Sequence, residues 1–254
     1  MTEEQPNQVE KEMNLTGHLS ELRNRLIVTA IFFVAFFVLG FVYVEQLINF
    51  FQKDLDFALN ITGFSDIISI YITMAGLVGI TGTLPILSLQ IWLFIRPGLT
   101  DNEKKASLSY IPAIFLLFII GLAFGYFLFI NFIMPFLLNL NDGMFNELFT
   151  VDKYFKFLFQ VTIPFGVLFE IPILAMFLTS LGIITPEYMK KTRKYAYFIL
   201  IIIGTIVTPP DFVLQIVVAV PLIVLYEISI YFAKIVYKKK QKKHQEFMDE
   251  DTNE

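Results

Sequence analysis

Long uncharged runs of apolar residues are the feature that most constrains how this chain can fold. The first run, residues 26–44, contains no charged side chain. A helix needs roughly 20 mostly apolar residues to cross the about 30 Å of hydrocarbon in a bilayer. A membrane-spanning β-barrel would instead show segments of roughly ten residues with alternating hydrophobicity. The pattern therefore predicts an all-α membrane protein.

Six apolar blocks follow one another, and they predict six transmembrane helices. They cover residues 26–44, 67–95, 108–140, 157–184, 195–208 and 212–233. Glycines and Pro85 are expected to loosen the second block, and Pro112 and Pro135 to bend the third. The fifth block has about 14 residues, which extend only about 21 Å at a rise of about 1.5 Å per residue. Because residues 209–211 leave no room for a loop, the fifth and sixth helices are predicted to be short and to form a hairpin.

The composition agrees with a membrane protein and excludes several kinds of site. The mean hydropathy is +0.66 and 17% of the residues are charged, whereas soluble domains contain about 25% charged residues. Since the chain has no cysteine, disulfides and thiolate chemistry are excluded. Its two histidines, His18 and His244, lie outside the apolar blocks, so a histidine-bound metal within the membrane is excluded. We predict no catalytic residue, no metal, no cofactor and no enzymatic activity.

The positions of Lys and Arg predict the orientation of the chain. Membrane proteins carry an excess of these residues in their short cytoplasmic loops. If the N-terminus is cytoplasmic, sixteen of the 19 basic residues lie on that side. The three on the opposite side are Lys53, Lys153 and Lys156. Both ends of the chain are therefore predicted to be cytoplasmic.

The charge pattern also predicts the organisation of the chain into segments. A disordered tail is expected at residues 1–13, a six-helix membrane domain at residues 14–236, and a charged cytoplasmic tail at residues 237–254. The terminal stretches carry many charges and have few apolar groups to bury. From about Gln241 onwards the second tail is therefore expected to be disordered.

Acidic residues near the predicted cytoplasmic face are the first candidates for a binding site. Leucines at helical spacing between residues 15 and 26 predict an amphipathic helix along the membrane interface. On this helix Glu21 and Arg25 stand four residues apart, the spacing of a helical ion pair. Glu103, in the loop 96–105, suits the first turn of the next helix. In the alternative interpretation, Glu21 and Glu103 together bind a dibasic ligand.

Polar residues within the last membrane blocks are the second group of candidates. An ionisable side chain such as Glu170, deep in a membrane helix, is energetically expensive and suggests a function. Burial disfavours its charged form, and Gln215 is a candidate hydrogen-bond partner; a purely structural hydrogen bond is the alternative. Glu227 lies near the cytoplasmic end of its block, where interfacial burial explains it. Asp211 either caps the sixth helix or serves a function in the hairpin turn.

Four short motifs also follow one another along the chain. They are HLSELRNRL at residues 18–26, QIWLFIRPGL at residues 90–99 followed by Glu103, FEIP at residues 169–172 and TPPD at residues 208–211. In this order, and over six membrane segments, they resemble the twin-arginine protein translocase C subunit, the TatC family. The resemblance covers residues 14–236. The first and last motifs are specific to the family by themselves. The middle two are less specific alone but become strong indicators when they occur in this order.

This resemblance implies a fold, a function and a set of residues. Family members are concave bundles of six helices in the cytoplasmic membrane, with short fifth and sixth helices. They bind the twin-arginine signal peptides of folded precursors and assemble with single-span TatA-type or TatB-type subunits, as homo-oligomers within the complex. The proton-motive force drives export, and no nucleic acid takes part. By motif match, Glu21, Glu103, Arg23 and Pro97 form the signal-peptide site, and Glu170 serves assembly or transport.

One departure from the family pattern and one other function remain to be weighed. Family members usually carry a Pro-x-Glu segment before the second helix, where this chain has FSDI at residues 64–67. Asp66 either replaces that acid, or the segment outside the membrane before the second helix does not have the role that it has in the family.

Without the motifs, the preferred interpretation would be a proton-coupled secondary transporter that uses Glu170 and Glu227 as proton carriers. A transporter binds a small solute, whereas a receptor co-purifies with twin-arginine precursors.

Overall fold

The described part of the chain is built from helices. A computed structural model describes residues 15–53, 55, 57–96, 104, 108, 110–141, 148–209 and 211–251. Its helices are α1 (Leu15–Val42), α2 (Val44–Gln52), α3 (Phe64–Ile95), α4 (Tyr110–Leu128), α5 (Met134–Asn141), α6 (Val151–Leu168), α7 (Ile171–Ser180), α8 (Pro186–Lys191), α9 (Arg193–Val207) and α10 (Phe212–Asp251). A π-helical turn, Phe129–Ile133, joins α4 to α5. The predicted tail at residues 1–13 lies outside the described residues.

Five stretches of helix are long and apolar enough to cross a membrane. They are Leu19–Val42, Phe64–Ile95, Tyr110–Asn141, Val151–Ser180 and Phe212–Lys242. The prediction of an all-α membrane protein is confirmed, but the count of six is not. Helix α9, the predicted fifth span, has 15 residues and extends about 22 Å, less than the about 30 Å of hydrocarbon.

The short α9 ends where the two prolines follow it. A residue before a proline is pushed out of the α conformation by the pyrrolidine ring. Thr208 accordingly adopts an extended conformation, with φ −105° and ψ 157°. Helix α10 begins four residues later at Phe212 and packs against α9. The predicted hairpin is therefore present.

The sixth helix is not short, and this prediction was wrong. Helix α10 has 40 residues, about 60 Å at the rise of an α-helix. The expectation of disorder from about Gln241 was wrong for residues up to Asp251 as well. Because residues 234–251 contain neither glycine nor proline and are rich in Lys, Gln and Glu, nothing interrupts the helix. Lys240 Nζ also donates a hydrogen bond to the carbonyl oxygen of Ser180, 2.7 Å away.

The third predicted block is distorted near Pro135. Pro112 lies two residues after Tyr110, where the described part of α4 begins, so the bend expected there stays a prediction. Pro135 lies two residues after the end of the π-helical turn Phe129–Ile133. A proline removes one hydrogen bond and clashes with the carbonyl four residues earlier. A wider turn before Pro135 accommodates both effects.

The second block is one unbroken helix, contrary to the expected loosening. Helix α3 runs through its glycines and through Pro85 for 32 residues. The glycines instead allow α1 to approach. A Cβ on Gly79 would lie 2.9 Å from the ring of Phe33, and one on Gly82 would lie 2.6 Å from the ring of Phe36. Their role is helix packing, as is usual for small residues in membranes.

Helix pairs that follow one another in the chain form the bundle. Helix α3 packs against α1 and α4, α6 packs against α4, and α10 packs against α7 and α9. At the end where α2 lies, Phe51 makes edge contacts with Tyr126, Phe155 and Phe159. Only 6% of the most apolar stretch of the first span is buried, against 44% of that stretch in Val151–Ser180. Helix α1 is therefore peripheral, and α6 and α7 are central.

Candidate functional site

The first motif is helical and continuous with the first membrane span. Residues 18–26 are part of α1, so the predicted amphipathic segment is not a separate interfacial helix. Arg25 Nε donates to Glu21 Oε1 at 3.1 Å, and Arg25 Nη2 donates to the same oxygen. The predicted helical ion pair is confirmed. Only 21% of the Arg25 side chain and 27% of the Glu21 side chain are exposed.

Arg25 also connects the first motif to the second. Its Nη2 donates to the carbonyl oxygen of Leu93 at 3.2 Å, and its Nη1 donates to Gln90 Oε1 at 3.4 Å. Both acceptors lie near the end of α3, which ends at Ile95. The two motifs, which are far apart in the sequence, therefore meet through one guanidinium group.

A cavity lies where these motifs meet, and its volume is about 320 Å³. It is lined by Glu21, Arg25, Leu93, Arg96 and Lys104. Lys104 is the chain neighbour of Glu103. Glu103 itself and Pro97 lie outside the described residues. Arg23, the remaining candidate in this region, is exposed on α1.

A larger apolar cavity lies at the opposite end of the bundle. Its volume is about 400 Å³, and its walls come from the π-helical turn, α5 and the start of α6. Lys153 is the one charged side chain among its described lining residues.

Glu170 lies in a break between two helices, within the fourth span. Helix α6 ends at Leu168 and α7 begins at Ile171, because Pro172 lacks the N–H that would continue the first helix. Glu170 is 9% exposed. Neither carboxyl oxygen has a hydrogen-bond partner among the described residues. A buried polar group without a partner is rare and calls for an explanation.

The predicted hydrogen bond between Gln215 and Glu170 was wrong. Gln215 Nε2 donates instead to Thr205 Oγ1, 2.6 Å away on α9. The reason is axial position. Gln215 lies in the first turn of α10, whereas Glu170 follows α6, whose 18 residues span about 27 Å from the same end of the bundle.

The carboxylate of Glu227 is fully engaged with α9. Arg193 Nη2 donates to Glu227 Oε2 at 2.5 Å, and Tyr197 Oη donates to Glu227 Oε1 at 2.5 Å. Neither partner was predicted, because neither is near Glu227 in the sequence. Glu227 thus joins the beginning of α9 to α10.

Asp211 is a helix cap. Its Oδ1 accepts hydrogen bonds from the backbone N–H groups of Val213 at 2.8 Å and Leu214 at 3.1 Å. Two of the unpaired N–H groups at the start of α10 are satisfied in this way. The capping interpretation is confirmed, and the fourth motif therefore contains the stop signal of α9 and the start signal of α10.

Sequence comparisons identify the family. The model of the TatC family, the Sec-independent protein translocase protein, matches residues 17–221. The Sec-independent protein translocase protein TatCd of Bacillus subtilis (strain 168) is 42% identical over 232 residues, which are 91% of this chain and 96% of that protein. The chain belongs to the TatC family. A TatC from Halalkalibacterium halodurans is 41% identical over 237 residues, 92% of this chain and 94% of that protein.

A solved TatC structure has the same fold. A crystal structure of the twin arginine translocase receptor TatC matches with a TM-score of 0.75 and 32% identity, and covers 86% of this chain and 99% of that one. A TatC protein is a membrane component of a protein translocase that also contains other Tat subunits, and it is not an enzyme. The alternative of a proton-coupled transporter is not favoured. Since Glu227 is held by Arg193 and Tyr197, one of its two assumed proton carriers already has a structural role.

This TatC chain also contains a packing motif that was not predicted from the sequence. Gly121 and Gly125 are four residues apart on α4 and both are buried against α6. A Cβ on Gly121 would lie 2.7 Å from the carbonyl oxygen of Phe165, and one on Gly125 would lie 2.9 Å from the Cα of Thr162. The G-x-x-x-G spacing within an apolar block was the signal that could have identified this contact.

Proposed function

We propose that this chain is the receptor subunit of a twin-arginine translocase. It binds the twin-arginine signal peptides of folded precursors and assembles with single-span TatA-type subunits, with or without a TatB-type subunit. The proton-motive force drives the export. The observation that carries the proposal is the cavity beside Glu21, at the meeting point of the first two motifs. The solved relative's description as a twin arginine translocase receptor supports it.

The chemistry of the proposed site rests on two carboxylates. Glu21 lines the cavity, and Glu103 precedes Lys104, which lines it too. The guanidinium of an arginine is a planar fork that pairs with a carboxylate through two hydrogen bonds, whereas the ammonium of lysine is a point charge. A pair of acids therefore suits a pair of arginines. Arg23 and Pro97 join the proposed site by motif match.

Replacing either acid by glutamine tests the proposed site. Each charge-assisted hydrogen bond contributes about 1.5–3 kcal/mol, so Glu21→Gln and Glu103→Gln should each weaken binding of a twin-arginine signal about ten- to a hundredfold. The measurement is the dissociation constant of a twin-arginine signal peptide for each purified variant. A twin-lysine signal should bind the wild type weakly and lose little more.

A matched control removes another acid from the same end of the bundle. Glu187 is exposed in the first turn of α8 and does not line the cavity, so Glu187→Gln should bind the signal as the wild type does. If Glu21→Gln and Glu103→Gln bind as tightly as this control, the two carboxylates do not form the receptor site and the proposal fails.

We propose further that the chain lies in the cytoplasmic membrane with both ends in the cytoplasm and works as a homo-oligomer within the complex. The distribution of Lys and Arg supports this orientation. The cysteine-free chain allows single cysteines at Asn60 and Gln241, both exposed. In intact cells, an impermeant thiol reagent should label the cysteine at 60 and should spare the one at 241. The reverse labelling pattern would invert the orientation and exclude a receptor site facing the cytoplasm.

A further inference from the structure

The carboxylate of Glu21 already holds an arginine of the same chain. We propose that Arg25 is an internal competitor for the signal peptide and that a signal arginine binds Glu21 by exchange with Arg25. This inference rests on the proposed function of Glu21 and concerns the regulation of that site. It makes the receptor self-inhibited in its empty state.

The geometry shows that the two guanidinium groups would compete for the same place. Arg25 directs both Nε and Nη2 to one oxygen of Glu21. A signal arginine that binds a carboxylate bidentately forms two parallel hydrogen bonds, one to each oxygen, and therefore needs the oxygen that Arg25 occupies. The pair is largely covered by neighbouring side chains, so a second guanidinium cannot reach the same oxygen while Arg25 stays in place.

Arg25 has other acceptors to hold it after the exchange. A guanidinium carries five N–H donors, and Arg25 also donates to Leu93 O and Gln90 Oε1. Leu93 lies in the last turn of α3, and Pro97, four residues later, has no N–H to donate to its carbonyl. A cation at this position also interacts favourably with the helix dipole. Arg25 can therefore leave Glu21 without becoming an unpaired, partly buried charge.

The charge of the cavity points in the same direction. Its described lining carries three cations, Arg25, Arg96 and Lys104, and one anion, Glu21. Two incoming arginines would add to this excess of positive charge. Movement of Arg25 away from Glu21 makes the Oε1 oxygen of this anion available to the ligand. The exchange thus gives a dibasic ligand a site that the empty cavity does not present.

The strength of the competition sets the size of the expected effect. An ion pair that is partly exposed contributes about 0.2–1 kcal/mol, so removal of Arg25 should tighten signal binding about two- to fivefold. Competition lowers the apparent affinity of every ligand of Glu21 by the same factor, because only the fraction of receptor with a released Glu21 can bind. Arg25→Gln should therefore raise the affinity of every Glu21-dependent signal by the same factor.

The test compares four full-length variants with the wild type in lipid nanodiscs, with a synthetic twin-arginine signal peptide as the probe. The variants are Arg25→Gln, Glu21→Gln, the double variant of both, and Arg96→Gln. We expect Arg25→Gln to bind about two- to fivefold more tightly, and we expect no gain when the same change is made in Glu21→Gln. Arg96→Gln is the charge control, because it removes a cation from the cavity without touching Glu21. Its gain should be smaller.

Each other outcome overturns a defined part of the argument. If Glu21→Gln binds as the wild type does, the proposed function fails and the exchange fails with it. If Glu21→Gln binds poorly but Arg25→Gln binds no more tightly than the wild type, the receptor site stands and the exchange is wrong. If the gain of Arg25→Gln persists in the Glu21→Gln background, or equals that of Arg96→Gln, cavity charge is the cause and the exchange is again wrong.

A second variant keeps the test decisive if Arg25→Gln does not fold, since Arg25 also satisfies the end of α3. Arg25→Lys retains the charge but cannot form the forked contact with Glu21. It should bind the signal peptide about twofold more tightly than the wild type. Equal or weaker binding would overturn the exchange.

Discussion

Replacement of Gly121 by alanine should lower the free energy of unfolding by about 1–3 kcal/mol. A Cβ at this position would lie 2.7 Å from the carbonyl oxygen of Phe165, 2.8 Å from the Cα of Gly166 and 2.9 Å from the Cβ of Phe169. Two of these three atoms are backbone and cannot rotate away. The only relief is separation of α4 from α6, which costs the close packing that holds membrane helices together. Thermal unfolding of the purified protein measures the loss.

The matched control is a glycine in a membrane helix that has open space. A Cβ on Gly76 would have no neighbour within 4 Å, so Gly76→Ala should be neutral or stabilising by up to about 1 kcal/mol, the helix preference of alanine over glycine. A residue larger than alanine should destabilise the protein further at position 121. We therefore expect that Gly121→Leu prevents recovery of monodisperse protein. Equal stability of the two alanine variants would contradict the close α4–α6 contact.

Replacement of Glu170 by methionine should stabilise the isolated protein by about 1–3 kcal/mol and abolish export. A buried polar group without a partner costs about this much, and both carboxyl oxygens of Glu170 lack a partner within the described chain. Methionine fills a similar volume and needs no hydrogen bond. Burial of this carboxyl group destabilises the isolated chain, and no hydrogen bond within the described chain compensates for it. We therefore propose that a partner for Glu170 is supplied during assembly or transport. Thermal unfolding and export of a twin-arginine precursor in cells are the two measurements.

Glu227→Met is the control, and its expected effect on stability is the opposite of that of Glu170→Met. Glu227 has two partners, so its removal leaves Arg193 and Tyr197 without their acceptor and should destabilise the protein. If Glu170→Met also destabilises the isolated protein, the carboxyl group has a partner within the chain. If Glu170→Met instead exports the precursor normally, Glu170 has no role in assembly or transport.

Much of the fold was predictable because a bilayer imposes local rules. Backbone groups in hydrocarbon must be satisfied within their own segment, so uncharged runs such as residues 26–44 predict helices without knowledge of their neighbours. Proline effects are equally local. Pro172 interrupts the fourth span and the prolines after Thr208 end α9. The order of four motifs was sufficient to predict the family.

Two errors came from charged or flexible residue types whose effect depends on context. The Lys-rich segment after Lys234 has the composition of a disordered tail, but it continues a helix that the membrane span has already nucleated. Extension of an existing helix avoids the cost of nucleation. The glycines of α3 were expected to loosen the helix, whereas they accommodate the rings of α1. In both cases the deciding factor was a neighbouring element.

The partners of the polar side chains were decided by tertiary structure alone. The sequence by itself determined the membrane class, the presence of long apolar helices, the family and the Glu21–Arg25 pair, because each of these depends on residues close together in the chain. It did not determine that Arg25 reaches Leu93, that Glu227 pairs with Arg193, or that Gln215 bonds Thr205 and leaves Glu170 alone. These contacts depend on the axial offset and rotation of packed helices. Shape complementarity between whole helix faces sets both, and no local pattern of residues encodes them.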